Sequence, residues 1–267
     1  MKSSNQEKIR NAFTQQAAGF ESSKMNFSNQ AYLDYAVSRI APAKTDHVLE
    51  VAAGTCACGR VIAPHVQCVT CLDMTPAMLT VGKAKAEQEK LCNMNFVLGD
   101  AAELPFLNDS FDIVLSRLAF HHFPDVKRAF DEMARVLKPG GKLVLIDMEA
   151  AEEDLRKTED EIEKLRDPSH VRNLSQAEML ALYETHGFAV SCCEVVRMPM
   201  VLQNWLDHTQ TPPEIQAQIR AKMQSDISGG SKTGFAPYDC DGEIRFDHRW
   251  VLIVGTTKSQ TGSGSES

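Results

Sequence analysis

The chain has 267 residues, with 28 Lys and Arg against 36 Asp and Glu, a formal net charge of −8. That balance argues against nucleic acid as the main partner, which would need clustered cations, and the 43% hydrophobic content excludes global disorder. Apolar runs such as 143–146 and 250–254 fall far short of the ~18–20 residues of a membrane span, and the opening MKSSNQEKIRNAF lacks the apolar core of a secretory signal. A soluble, cytoplasmic, acidic α/β enzyme is expected.

Residues 5–20 and 28–40 read as helices. The second has Ser28 as cap, with Tyr32, Tyr35, Ala36, Arg39 and Ile40 at helical spacing before Pro42. The rhythm then shortens, with a strand at 47–51, a helix at 55–63 and a strand at 68–72. Thr75-Pro76 offers an N-cap with proline at N1 for a helix reaching residue 90. Further strands are expected at 95–98 and 111–116. Asp125 caps the most regular helix, with Val126, Ala129, Phe130, Met133 and Leu137 on one face. Pro139-Gly140-Gly141 is expected to end it before a strand at 142–147. Strands alternating with helices over 47–148 predict βαβ units and a parallel sheet, with strand carboxyl ends at one ligand-binding edge.

Beyond residue 148 the character shifts. Residues 149–164 hold eight acidic and three basic residues and read as a solvated helix face. Ser175-x-x-Glu178 is a capping box for a helix ending at Gly187. A strand follows at 189–196, and Pro212-Pro213 opens a helix through Met223. Residues 229–237 form a loop, and 243–257 hold a final strand, the second arm of an antiparallel pair. The tail SQTGSGSES is polar and Gly/Ser-rich and is expected to be flexible.

The eight cysteines are Cys56, Cys58, Cys68, Cys71, Cys92, Cys192, Cys193 and Cys240. Without a secretion signal they read as small buried hydrophobes, not a disulfide framework. Cys68 and Cys71 would fall on opposite faces of a strand, as would Cys192 and Cys193, so no metal site is expected.

The segment VLEVAAGTCACGR joins the first strand to a helix, and Asp73 ends the second strand nineteen residues beyond Gly54. A small-residue turn with a following acid suits a nucleoside ligand, the acid accepting from ribose hydroxyls. ATP would need Lys and Ser or Thr after Gly59, where Arg60 and Val61 stand; NAD would need glycine at Ala52 and Cys56. S-adenosylmethionine has no phosphates, and Glu50 suits a cationic ligand better than a polyanion. The plain alternative is a merely tight strand–helix turn.

VLEVAAGT, LDMTPAML, LGDAAELPF, FDIVLSRLAFHHF and RVLKPGGKLVLIDM occur in order over residues 48–148. Together they resemble the class I S-adenosylmethionine-dependent methyltransferases, and most of all the small-molecule branch (methyltransferase type 11) containing the ubiquinone and menaquinone C-methyltransferases. The resemblance implies an α/β, Rossmann-like, seven-stranded, mostly parallel sheet with its last strand antiparallel and helices on both faces. By the same resemblance Glu50, Ala52, Gly54 and Thr55 would line the methionine part of the cofactor. Asp73 would bind the ribose diol, Met74 would flank the adenine, and Asp100 with Ala101 would read its edge. Ser116 and Arg117 would face the sulfonium and substrate. The family usually has glycine where this chain has Cys56; a left-handed backbone there would cost roughly 1–2 kcal/mol, and the side chain would crowd the methionine moiety.

Methyl transfer from a sulfonium needs in-line alignment in a dry pocket, and a base only where the nucleophile must lose a proton. Candidates are His121 and His122, which with Arg117 form R-x3-H-H, a clamp for a phenolate, enolate or carboxylate. The bland alternative has one histidine capping the loop and the other solvated. His170, within the polar run from Arg166 to Arg172, is a further candidate base or part of a salt-bridged turn. Tyr183, Trp205 and Tyr238 are expected to pack. Phe13, Phe20 and Phe27 either close a lid or pack ordinarily.

The leading expectation is transfer of a methyl group from S-adenosylmethionine, leaving S-adenosylhomocysteine, to carbon or oxygen of a small organic acceptor. The alternatives are a catalytically impaired cofactor-binding scaffold or sensor, suggested by Cys56, and methylation of arsenite or another thiophilic centre, suggested by the cysteines. The expected organisation is one domain over 1–258: a helical lid at 1–44, a cofactor-binding core at 45–148, a substrate-side cap and insertion at 149–242 and a final strand at 243–258, with a flexible tail at 259–267. The partners expected are a small-molecule acceptor and at most a second copy in a homodimer, with no nucleic acid and no transmembrane segment.

Overall fold

A computed structural model describes residues 4–22, 25 and 28–257; Phe27 and the tail at 259–267 lie outside them. Two helices, α1 (Ser4–Gln16) and α2 (Gln30–Ile40), precede the sheet. Alternation then runs β1 (His47–Val51), α3 (Ala57–Ile62), β2 (Cys68–Asp73), α4 (Pro76–Gln88), β3 (Met94–Leu98), β4 (Phe111–Arg117), α5 (Val126–Val136) and β5 (Leu137–Met148). The remainder is α6 (Arg156–Arg166), α7 (Gln176–Thr185), β6 (Ala189–Val201), α8 (Leu202–His208), α9 (Pro213–Ile227), β7 (Tyr238–Cys240) and β8 (Glu243–Thr256).

The strands form one sheet in the order β3-β2-β1-β4-β5-β8-β6, with β7 also paired to β8. The pairings among β1 to β5 are parallel, and β8 runs antiparallel between β5 and β6. Strand order reverses on either side of β1, which opens a crevice at the carboxyl ends of β1 and β4. Successive side chains feed two cores on opposite faces: Val48, Ile113, Leu115, Val144 and Ile146 on one, Leu49, Val114, Leu143 and Leu145 on the other. A third cluster, around Trp205, Phe235 and Phe246, packs α6, α8 and α9 against the end of β8.

Several local expectations are corrected. Asn29, not Ser28, caps α2, because its side chain is placed to accept from the Tyr32 amide (3.2 Å). Pro139-Gly140-Gly141 lies inside β5, where Phe111 pairs Leu137 but Ile113 pairs Lys142, so the segment is a bulge. Residues 149–164 are not simply a solvated face: Glu159 (5% exposed) and Glu163 (1%) are buried, Glu159 accepting from the Ala151 amide and Glu163 paired with Arg166. Nor is 149–242 all cap, since β6 is an edge strand of the main sheet. The first arm of the expected antiparallel pair includes the short β7, joined to β8 by Asp241-Gly242, both at positive φ as a type I′ turn requires. No helix among the described residues is long and apolar enough to cross a membrane.

Candidate active site

One cavity of about 170 Å³ lies over the carboxyl ends of β1 to β4. Its floor is the loop after β1. Ala52, Gly54 and Cys56 alternate there at φ of 53°, 54° and 59°, and Leu118 after β4 adds a fourth left-handed residue at 53°. Strain of this kind persists only where surrounding contacts hold it. Glu50 supplies one: its Oε2 accepts from the Gly59 amide of α3 at 2.8 Å. A Cβ at Gly59 would lie 2.6 Å from that oxygen, so only glycine fits. Asp73 supplies another, its Oδ2 accepting from the Gly54 amide and its Oδ1 from the Thr75 amide, both at 2.8 Å.

Burial pushes the Glu50 carboxyl up to about 7, with Arg117 and the Gly59 amide pulling against it. Burial also raises Asp73, against the Gly54 and Thr75 amides. The third carboxylate, Asp100, follows β3; its Oδ1 accepts from the Ala102 amide (2.9 Å) and its Oδ2 from Gln6 Nε2 of α1 (2.5 Å). Three acids thus stand in a row at the ends of β1, β2 and β3. Each carboxylate oxygen can accept twice, so the cavity side keeps acceptor capacity for hydroxyl, amino or ammonium groups. Such a set fits a cationic or neutral nucleoside and repels a polyphosphate.

The opposite wall carries the histidines. The turn Phe120–His122 follows β4, and Asp147 near the end of β5 holds it, accepting from the Phe120 amide (2.6 Å). His121 Nδ1 lies 2.6 Å from Asp147 Oδ1. Burial opposes a charge on His121, but the Asp147 charge and hydrogen bond outweigh it and raise its pKa, while Asp147 is lowered. His122, its ring centroid 4.1 Å from that of His121, is pushed down to about 3 by burial and by the His121 charge. Adjacent histidines with pKa values driven apart divide cation and neutral acceptor between them.

Of the residues singled out in the sequence, Glu50, Ala52, Gly54, Thr55, Asp73, Met74, Asp100, Ala101, Arg117, His121 and His122 line this cavity together. Ser116 and His170 do not. Ser116 is fully buried and, adjacent to Arg117 on β4, faces the other way. His170 turns its Nε2 to Asp160 (2.9 Å). Arg166, Asp167, His208 and His248, which sequence reasoning did not assign, also line it. From α1 and the turn after it come Gln6, Ile9, Phe13 and Phe20, the Phe13 ring edge-on to His122 at 5.0 Å.

Tyr183 and Trp205 are buried packing residues and Tyr238 is exposed; none lines the cavity. Among the described residues no cysteine lines it either, Cys56 included. Cys192 and Cys193 pack against opposite faces of the sheet.

A family model described as a methyltransferase domain matches residues 49–145. The uncharacterized methyltransferase YcgJ of Bacillus subtilis (strain 168) is 35% identical over 220 residues, covering 81% of this chain and 87% of that protein. The crystal structure of YcgJ superposes with a TM-score of 0.78 at 29% identity, covering 86% of this chain and all of that one. A Bacillus halodurans C-125 structure described as a methyltransferase gives 0.78 at 28% identity with the same coverage. Demethylmenaquinone methyltransferases of Listeria are 39% identical, but over only 39% of this chain and 45% of theirs.

Proposed function

Because the chain belongs to the class I methyltransferase family, we propose that its cavity binds S-adenosylmethionine and transfers the methyl group to carbon or oxygen of a small organic acceptor. The observation that carries this reading is the row of Glu50, Asp73 and Asp100 facing His121 and His122 across one cavity. When bound, S-adenosylmethionine supplies a methyl group on a sulfonium that departs as a neutral thioether. Glu50 would meet the ammonium of the methionine part, Asp73 the ribose hydroxyls, and Asp100 with Ala101 the adenine edge. No side chain in that row is a cation, in keeping with a ligand lacking phosphates.

The chain's further contribution is alignment and exclusion of water. Ile9, Phe13 and Phe20 cover the cavity from the N-terminal side. Arg117 would place positive charge beside the acceptor, favouring an oxyanion or enolate there, while Asp147 offsets the charge of His121. The neutral His122 ring would accept a hydrogen bond from an acceptor O–H and orient it; with a pKa of about 3 it does not keep the proton, which would leave to solvent. Cys56 takes the left-handed backbone that motivates the scaffold alternative, but its side chain does not reach the cavity, and neither does any other cysteine among the described residues, which favours methyl transfer over both alternatives.

Calorimetric titration with S-adenosylmethionine and S-adenosylhomocysteine tests the reading. Saturable binding of both is expected; no heat with either at high micromolar concentration would sink it.

A further inference from the structure

We propose that Ser169 and Asp167 form a relay that fixes His122 as the Nδ1–H tautomer and leaves its Nε2 unprotonated as the acceptor in the cavity. Both are positioning residues. What Nε2 serves rests on the methyl-transfer reading; the tautomer itself does not.

The geometry begins at Asp167, at the end of α6. Its Oδ1 accepts from the Ser169 amide at 2.9 Å and from Ser169 Oγ at 2.6 Å. On its other side, Ser169 Oγ lies 3.1 Å from His122 Nδ1. A carboxylate only accepts, and a serine hydroxyl has one proton to give. A separation of 2.6 Å is that of a charge-assisted O–H···O⁻ bond, so the serine proton belongs to Asp167. Burial pushes the Asp167 carboxyl up, but the Arg166 charge and the two Ser169 donors pull it below its ordinary value and keep it ionised.

With its proton committed, Ser169 Oγ presents only lone pairs to His122. That contact is favourable only if Nδ1 carries the hydrogen. Asp167, Ser169 and His122 are 3%, 0% and 6% exposed, so bulk water offers no competing arrangement. The loop is also held in place: the Val171 amide donates to the His121 carbonyl (2.9 Å) and the His170 amide to the Asp167 carbonyl (3.0 Å). Nδ1–H is the less favoured tautomer of a free histidine in water, so it needs such a partner. Serine stands between acid and histidine here and is a spacer, not a nucleophile.

Histidine-selective ¹⁵N labelling with long-range ¹H–¹⁵N correlation at pH 7.5 reads the tautomer ring by ring, and His122→Gln assigns the signal. For the wild-type protein the expected result is a protonated Nδ1 and an unprotonated Nε2 at His122. Ser169→Ala should revert the ring to Nε2–H. An Nε2–H spectrum in the wild-type protein overturns the relay whether or not the variant folds, and so does an unchanged Nδ1–H signal in folded Ser169→Ala. S-adenosylmethionine binding is measured on the same samples. Binding with the wrong tautomer overturns the relay alone, whereas the right tautomer without binding overturns only the methyl-transfer reading.

Discussion

The Cys56 thiol and the missing side chain of Gly82 share one space: a Cβ at Gly82 would lie 2.8 Å from Cys56 Sγ and 2.9 Å from the Thr55 carbonyl oxygen. The side chain at 56 is thus accommodated against α4, outside the cavity. Gly82→Ala should cost about 1–3 kcal/mol through overpacking. Cys56→Gly should recover only part of that in the double variant, because the Thr55 carbonyl is backbone and cannot move aside. Alone, Cys56→Gly relieves a left-handed residue worth roughly 1–2 kcal/mol and loses a small buried side chain, leaving stability nearly unchanged. Urea unfolding measures these values, and calorimetry should find cofactor affinity intact. A tenfold loss of affinity in Cys56→Gly would assign the thiol a role the cavity geometry denies it.

Glu50 makes binding and stability depend on pH in opposite senses. Unfolded, the carboxyl titrates near 4.5; folded, burial takes it to about 7. Between these values the native state retains a proton that the unfolded chain has released. Stability therefore falls as pH rises through this window, and the full penalty, on the order of 3 kcal/mol, stands above pH 7. A cationic ligand beside Glu50 favours the ionised form, so affinity for S-adenosylmethionine should rise from pH 6 to 8, with proton release near pH 7. Glu50→Gln should raise the melting temperature at pH 8 and abolish the proton release. Proton release measured by calorimetry in buffers of differing ionisation enthalpy checks this, and identical release in wild type and variant would contradict it.

Asp73 does two things at once, holding the Gly54 and Thr75 amides while facing the cavity. Asp73→Ala should lower cofactor affinity about tenfold or more, since ribose hydroxyls lose a charged acceptor and the loop loses its tie. Asp73→Asn separates the parts: one amide group keeps a carbonyl for one backbone donor but turns N–H toward the other. It should weaken binding nearly as much as alanine while staying folded. An unchanged affinity in both variants would place the ribose elsewhere.

The alternation of strands and helices over 47–148 was readable because a sheet covered on both faces demands short apolar strands at regular spacing. Pro139-Gly140-Gly141 was ambiguous, because the same residues serve a helix stop and a strand bulge; only the offset of β5 against β4 decides. The burial of Glu159 and Glu163 was hidden in an acidic run, because among the groups facing them are Arg249 and His248, about ninety residues on. The motif around Asp167 and Ser169 stood out through its neighbour His170. Which of its polar side chains meets His122 follows from how the loop docks on the His121 carbonyl, a contact between distant segments. At Ser116 and Arg117, strand alternation alone could have shown that only one of two adjacent residues reaches the cavity.

A last prediction concerns what keeps α1 over the cavity. Glu21, just beyond that helix, takes Arg60 Nη2 on both carboxylate oxygens at 2.7 Å and Lys85 at 2.9 Å. Arg60 is 8% exposed and also pairs with Glu89. Burial opposes ionisation of Glu21, but Thr55, Lys85 and Arg60 together hold its pKa below 4.5. The tie is therefore complete above that pH and weakens as pH falls through the lowered value. Glu21→Ala leaves Arg60 buried with Glu89 as its remaining acid, which should cost less than the ~3–5 kcal/mol of a fully orphaned buried charge. That cost can be relieved by detaching α1 without opening the sheet, so the loss should be local. Amide exchange over residues 4–19 should accelerate by at least tenfold while that of β1, β4 and β5 stays unchanged, and S-adenosylhomocysteine should dissociate faster. Exchange in α1 as slow as in the wild-type protein would mean that Gln6 on Asp100 and the cavity-lining apolar residues hold the helix without this tie.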